Sequence, residues 1–342
     1  MVSAAILAPS GPRLKPKEFE FFADAQPWGF ILFARNVETP AQLRRLTGDL
    51  REAVGRNAPV LIDQEGGRVQ RLRGPTWREW LPALDQIARA GPGAERSMWL
   101  RARLIAHELF EAGIDVNCAP LADVARPMTH AVLKNRTYGT DPAAVARLAR
   151  AVADGLMAGG VLPVLKHLPG YGLGAVDSHV ALPRVTAERA DLEAIDFQAF
   201  RPLADIAMGM TAHIAYDAID PHLPATLSPT LVQLIREEIG FGGLLMTDDI
   251  SMDALPGALA GRASKAIAAG CDVVLHCNGD LMEMEDVIAA VGQMKGRARV
   301  RARLALEQRR APEPLDIGAL DAEFNGLLAG PADDANSAQT GE

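Results

Sequence analysis

The chain lacks any excess of positive charge. Its 342 residues carry 35 Lys and Arg against 43 Asp and Glu, a formal net charge of −8. Nothing is left over to neutralise phosphates, which argues against a nucleic-acid partner. Cysteine is scarce too. Cys118, Cys271 and Cys277 are an odd number without metal-ligand spacing, so neither a disulfide framework nor a zinc finger is expected. No apolar run approaches the roughly 18 residues of a membrane span. The short apolar stretch Ala4–Ala8 has no basic residues before it and is too brief for a secretion signal. A reducing, cytoplasmic location is therefore the default expectation. Also missing are a G-x-G-x-x-G after an early strand, an H-x-H after the first strand, an H-E-x-x-H and a G-x-S-x-G. A dinucleotide fold, the usual metal-hydrolase spacings and a serine nucleophile elbow lose their support.

What is present is an ordinary globular composition, 49% hydrophobic and 23% charged. Eight short apolar runs recur: Ala4–Leu7, Gly29–Phe33, Val60–Ile62, Val116–Ala119, Val164–Lys166, Ala207–Ala212, Leu244–Thr247 and Val273–His276. Most are continuous rather than alternating, as in strands buried on both faces. Amphipathic helices separate several of them. Thr39-Pro40 with Gln42 forms a capping box ahead of Leu43, Leu46, Leu50 and Val54, and Gly55 ends that helix. Asp141-Pro142 opens a second, and Ser228-Pro229 a third that Gly240 stops. Trp99–Ala112 also reads as helix, whereas residues 66–95 read as an irregular insertion rich in Arg, Pro and Trp. Eight buried strands alternating with helices fit a single (β/α)8 TIM-type barrel, α/β in class, over residues 1–330. An open doubly wound sheet is the alternative. Residues 331–342 are small and polar and read as a disordered tail.

In a barrel, chemistry gathers at the C-terminal ends of the strands. The unusual polar residues lie there. Asp63, Gln64 and Glu65 follow the third strand, and Asn117 and Asp123 flank the fourth. Lys166-His167 ends the fifth, His213 the sixth and Asp248-Asp249 the seventh. After Lys166-His167 come three glycines within five residues, then Asp177 and His179. A glycine-rich segment carrying a carboxylate beside an imidazole suits delivery of a proton to a substrate. A polar loop capped by Asp177 is the plainer reading. One carboxylate on a rigid strand end plus one mobile acid/base suits a two-step displacement at a sugar carbon. Adjacent side chains in an extended strand point to opposite faces, so one of Asp248 and Asp249 should look into the barrel mouth.

Several motifs occur in order: I-D-Q-E-G-G-R-V-Q-R over 62–71, N-R-T-Y-G-T-D-P over 135–142, K-H-L-P-G-Y-G from Lys166, D-S-H at 177–179, M-T-A-H-I-A-Y-D-A-I-D over 210–220 and M-T-D-D-I-S-M over 246–252. Through them the chain resembles bacterial β-N-acetylglucosaminidases of glycoside hydrolase family 3, the single-domain branch, over about residues 5–300. The resemblance implies a (β/α)8 barrel and a retaining exo-acting enzyme. Such an enzyme would remove N-acetylglucosamine (GlcNAc) from small muropeptide fragments in peptidoglycan recycling. It would act as a monomer in the cytoplasm, with no cofactor and no metal. It implies Asp248 as nucleophile, with Asp249 the alternative, and His179 as acid/base with Asp177 as its partner. Asp63, Arg71, Arg136, Lys166 and His167 would hold the sugar. Arg68 competes with Arg71, but solvent-facing charge is the preferred reading of Arg68 and Arg73. His213 and Asp220 would support the rim. Two positions depart from the family: Tyr171 stands where histidine is usual, and Tyr138 where Phe is frequent. The rival functions are a phosphorylase using inorganic phosphate, a non-catalytic sugar-binding barrel and a metal-dependent barrel hydrolase.

Overall fold

The computed structural model describes residues 1–174 and 182–329. Eight parallel strands close into a barrel: β1 Ser3–Leu7, β2 Pro27–Leu32, β3 Val60–Ile62, β4 Val116–Asn117, β5 Leu162–Leu168, β6 Met208–Thr211, β7 Leu244–Asp249 and β8 Val273–His276. Each lies beside the next in sequence, and β8 pairs with β1 through Ala5 and Val274 to shut the ring. All eight apolar runs of the sequence are barrel strands. Strands β1 and β2 are buried at every position, because helices cover the outer face and packed side chains fill the inner one. An open doubly wound sheet is thereby ruled out.

The helices form where their caps place them. Thr39 Oγ1 accepts from the Gln42 N–H at 3.2 Å, and Gly55, at φ +61°, ends the helix Pro40–Val54. Asp141 accepts from the Ala144 N–H and opens Pro142–Ala158, while Ser228 accepts from the Leu231 N–H and opens Pro229–Glu237. The last helix stops at Glu237, short of Gly240, whose own φ of +82° belongs to the turn that follows.

Residues 66–95 depart from the expectation of irregular structure. Ala83–Ala90 is a helix, and after a Gly91–Gly93 turn the next helix runs Ala94–Glu111, beginning five residues before Trp99. Trp80 from this region packs edge-on against Phe324, with ring centroids 5.4 Å apart. The guanidinium of Arg78 lies over both rings. Phe324 belongs to the helix Ile317–Ala329, which also packs on Ala94–Glu111. Among the described residues no helix is long and apolar enough to cross a membrane.

Candidate active site

The C-terminal ends of β3, β5 and β7 converge on a cavity of about 240 Å³. Asp63, Arg71, Arg136, Lys166, His167 and Asp248 all line it. Asp177 and His179 lie outside the described residues.

The floor of the cavity is an ion cluster. Lys166, reached along β5 and 2% exposed, donates to Asp63 Oδ1 at 3.0 Å and lies 2.6 Å from Glu65 Oε1. Arg71 donates to the other oxygen of Asp63 at 3.1 Å. Arg136 makes a two-pronged bond to Glu65 at 2.8 and 2.9 Å. Burial alone would raise both carboxylic acids. The cations overcome it: Lys166 and Arg71 hold Asp63 well below the usual carboxylate range, and Arg136 and Lys166 hold Glu65 down at about 2. Burial would lower Lys166 and Arg136, but Asp63 and Glu65 push Lys166 up and Glu65 pushes Arg136 up.

The segment after β3 places these groups. Gln64 exchanges hydrogen bonds with Asn117, and its Oε1 accepts from the Arg71 and Leu72 N–H groups. That brings Arg71 back over Asp63. Buried Arg101 donates to the Glu65 carbonyl. A Cβ on Gly66 would come within 1.9 Å of that guanidinium, and the φ of +105° there also demands glycine.

The Lys166–His167 peptide bond is cis, and both side chains line the cavity. Asp123, fully buried after β4, accepts from His167 Nδ1 at 2.7 Å and from the Tyr171 N–H at 2.6 Å. A carboxylate only accepts, so Nδ1 carries hydrogen and Nε2 remains for the cavity. Tyr171 lines the cavity with its ring 5.9 Å from that of His167.

Both Asp248 and Asp249 border the cavity, which corrects the expectation that one of them would. The ladder between β7 and β8 shifts register between Met246 and Asp249, so strict alternation fails at this strand end. Their partners differ. The Asp249 carboxylate accepts from Ser251 Oγ at 2.7 Å and from the N–H groups of Ser251 and Cys277. Its carbonyl meets His213 Nε2 at 2.8 Å. Among the described residues, the Asp248 carboxylate takes a single hydrogen bond, from the Asp249 N–H at 2.8 Å. His213 also bonds Thr226, and Asp220 caps the 222–223 turn and bonds Ser228, so both brace the rim. Arg73 points to solvent, paired with Glu79. Arg68 does not fit the reading of a purely solvent-facing charge. It is exposed, yet it lines the cavity, with Nε donating to the Val132 carbonyl at 3.0 Å.

Glu65 and Asp123 stand among the polar residues at the strand ends but are given no role from the sequence. Glu65 stands two residues after Asp63 inside a motif, which was a usable signal. Asp123 meets His167 across 44 residues, and no local pattern announces that pairing.

The described end of the glycine segment rests on Asp196. A Cβ on Gly172 would lie 1.9 Å from the Val124 carbonyl oxygen and 3.1 Å from Asp196 Oδ1. Burial raises Asp196 to about 6, against the pull of Arg126 at 3.1 Å and with help from Asp123. A raised carboxyl favours the folded state while protonated. That contribution is full below about pH 4 and is lost as pH rises through 6. Asp196→Asn should therefore gain about 2–3 kcal/mol relative to the parent between pH 4 and 7. Urea unfolding at both pH values measures it, and an unchanged difference would contradict the raised acid.

A parallel barrel whose strand ends gather carboxylates and hydrogen-bond donors around a small cavity has the arrangement of a barrel enzyme's active site. Among known families, Glycosyl hydrolase family 3 N terminal domain matches residues 4–307. A β-hexosaminidase of Alkalilimnicola ehrlichii is 41% identical over 283 residues, covering 78% of each chain. One from Pseudomonas aeruginosa is 35% identical over 86% of this chain and 88% of its own. The crystal structure of NagZ from Neisseria gonorrhoeae with N-trifluoroacetyl-D-glucosamine superposes with a TM-score of 0.82 at 30% identity, covering 96% of both chains. The chain belongs to glycoside hydrolase family 3. It is a glycoside hydrolase similar to the curated β-hexosaminidases.

Proposed function

We propose that the chain is a retaining exo-β-N-acetylglucosaminidase. It would remove non-reducing terminal GlcNAc from muropeptide fragments such as GlcNAc-1,6-anhydro-MurNAc, with or without peptide, in peptidoglycan recycling. The observation that carries the reading is the contrast between the two acids on β7. Asp249 is occupied by Ser251 and Cys277, while Asp248 faces the same cavity with one described hydrogen bond. The relatives' names and the sugar analogue bound to the gonococcal NagZ support GlcNAc as the sugar.

In this reading Asp248 attacks the anomeric carbon and forms a covalent glycosyl-enzyme. His179, oriented by Asp177, protonates the leaving oxygen and then deprotonates water. Asp63 accepts from sugar hydroxyls. Lys166, Arg71, Arg136 and His167 orient the ring and the N-acetyl group. Their mutual bonds fix them before substrate arrives, which lowers the reorganisation needed in the transition state. A cavity at the small end of ligand pockets suits a single terminal sugar. A cytoplasmic monomer with residues 1–330 as one catalytic unit completes the proposal.

Incubation with GlcNAc-1,6-anhydro-MurNAc should release GlcNAc with retained β configuration at first formation. Inverted product would sink the mechanism, and GlcNAc-1-phosphate in phosphate buffer would make the enzyme a phosphorylase. For the acid, His179→Ala should slow the natural disaccharide far more than an aryl glycoside whose acidic phenol leaves unaided, by on the order of 10²–10⁴-fold. Equal losses on both substrates would remove His179 from that role.

A further inference from the structure

A second and larger cavity, about 660 Å³, opens at the opposite end of the barrel, where the strands begin. It lies between the start of β1, Trp28 of β2 and the helix Gly296–Glu307. Its floor is apolar, made by Trp28, Met294, Ala302 and Leu306. Its walls carry Arg56, Lys295, Arg299 and Arg303, and no described lining residue is a carboxylate. In a chain of net charge −8 this is a local inversion of sign.

The cations are incompletely neutralised. Arg303 pairs with Glu307. Among the described residues Lys295 and Arg299 form no ion pair within 4.0 Å. Arg56 is held by the carbonyls of Pro27 and Trp28, its Nε is buried without a hydrogen-bond partner, and burial lowers it to about 10. Lys295, Arg299 and Arg303 are exposed at the rim, so a neutral apolar ligand would gain nothing from them, and a small hydrophilic anion would gain nothing from the apolar floor.

We propose that this groove binds a soluble amphipathic anion, a long-chain carboxylate. The alkyl chain lies on Trp28 and Leu306, and the carboxylate meets Lys295 and Arg299. The ion–carboxylate contacts fix its direction, and burial of the chain supplies most of the affinity.

Trp28 provides the readout. Titrating the full chain with 11-bromoundecanoate should quench indole fluorescence saturably, while undecanoate, which lacks the quenching bromine, should not. Trp28→Phe should abolish most of the quenching. The surface double variant K295E/R299E should fold, keep glycosidase activity, and raise the half-saturation concentration about tenfold. Non-saturable quenching, quenching that survives Trp28→Phe, or an unchanged half-saturation in K295E/R299E would each overturn the proposal. Binding to anionic phospholipid vesicles without binding of the soluble probe would give the face to a membrane and overturn it. A signal that appears only after deletion of residues 330–342 would give the groove to the chain's own acidic end and would overturn it as well.

Discussion

Asp248→Asn is expected to lose kcat/KM on the order of 10⁴-fold or more while keeping its fold. The substitution is isosteric, and the Asn carbonyl can still accept from the Asp249 N–H that now bonds the carboxylate. What disappears is the negative charge and, in the proposed mechanism, the attacking oxygen. Asp249→Asn should behave differently. That carboxylate spreads its bonds over Ser251 Oγ, the Ser251 N–H and the Cys277 N–H, and an amide has one acceptor oxygen where a carboxylate has two. Its loss should appear first in stability, by about 1 kcal/mol, with a smaller loss of rate. A mechanism-based fluorosugar that keeps the 2-acetamido group and traps the covalent intermediate should label Asp248. A label on Asp249 would exchange their roles, and equal rate losses in the two variants would contradict the division between them.

Lys166→Met should cost about 3 kcal/mol of stability, and activity should fall on the order of 10²–10³-fold. The side chain is 3% exposed and stands between two carboxylates, so its removal brings Asp63 and Glu65 together without the ion that separates them. Arg71 and Arg136 remain, which keeps the cost at the lower end for a broken buried pair. The variant also has a distinct pH signature. In the parent, the depressed acids contribute stability that is full above about pH 4.5 and is lost as pH falls through their folded values. In Lys166→Met one of the two should take up a proton more readily, so that its deficit against the parent shrinks as pH falls. A deficit constant from pH 8 to 4 would show that Lys166 fills space and does not balance charge.

The barrel was legible because buried parallel strands write themselves as short continuous apolar runs, and all eight did so. The caps at Thr39, Asp141 and Ser228 were legible for the same local reason. The helix Ala83–Ala90 was not. It is eight residues long, follows Pro82 and is cut off by Gly91-Pro92-Gly93, so no window of helical periodicity builds up. The cavity residues could be named one by one from strand ends and motifs, but their partners could not. Arg136 clasps Glu65 over 71 residues of chain and His167 meets Asp123 over 44. The shared exposure of Asp248 and Asp249 was hidden by a register shift that needs the neighbouring strand to exist before it has meaning.

The ion cluster at the floor of the cavity has a consequence for kinetics. Asp63, Glu65, Lys166 and Arg136 are all driven away from neutrality in the direction that keeps them ionised. The cavity floor thus presents one constant pattern of charge across the working range of a neutral enzyme. Inflections of kcat/KM between roughly pH 5 and 8 then come from groups outside that floor, the proposed proton-transfer pair and Asp196 among them, and Asp196→Asn separates the two.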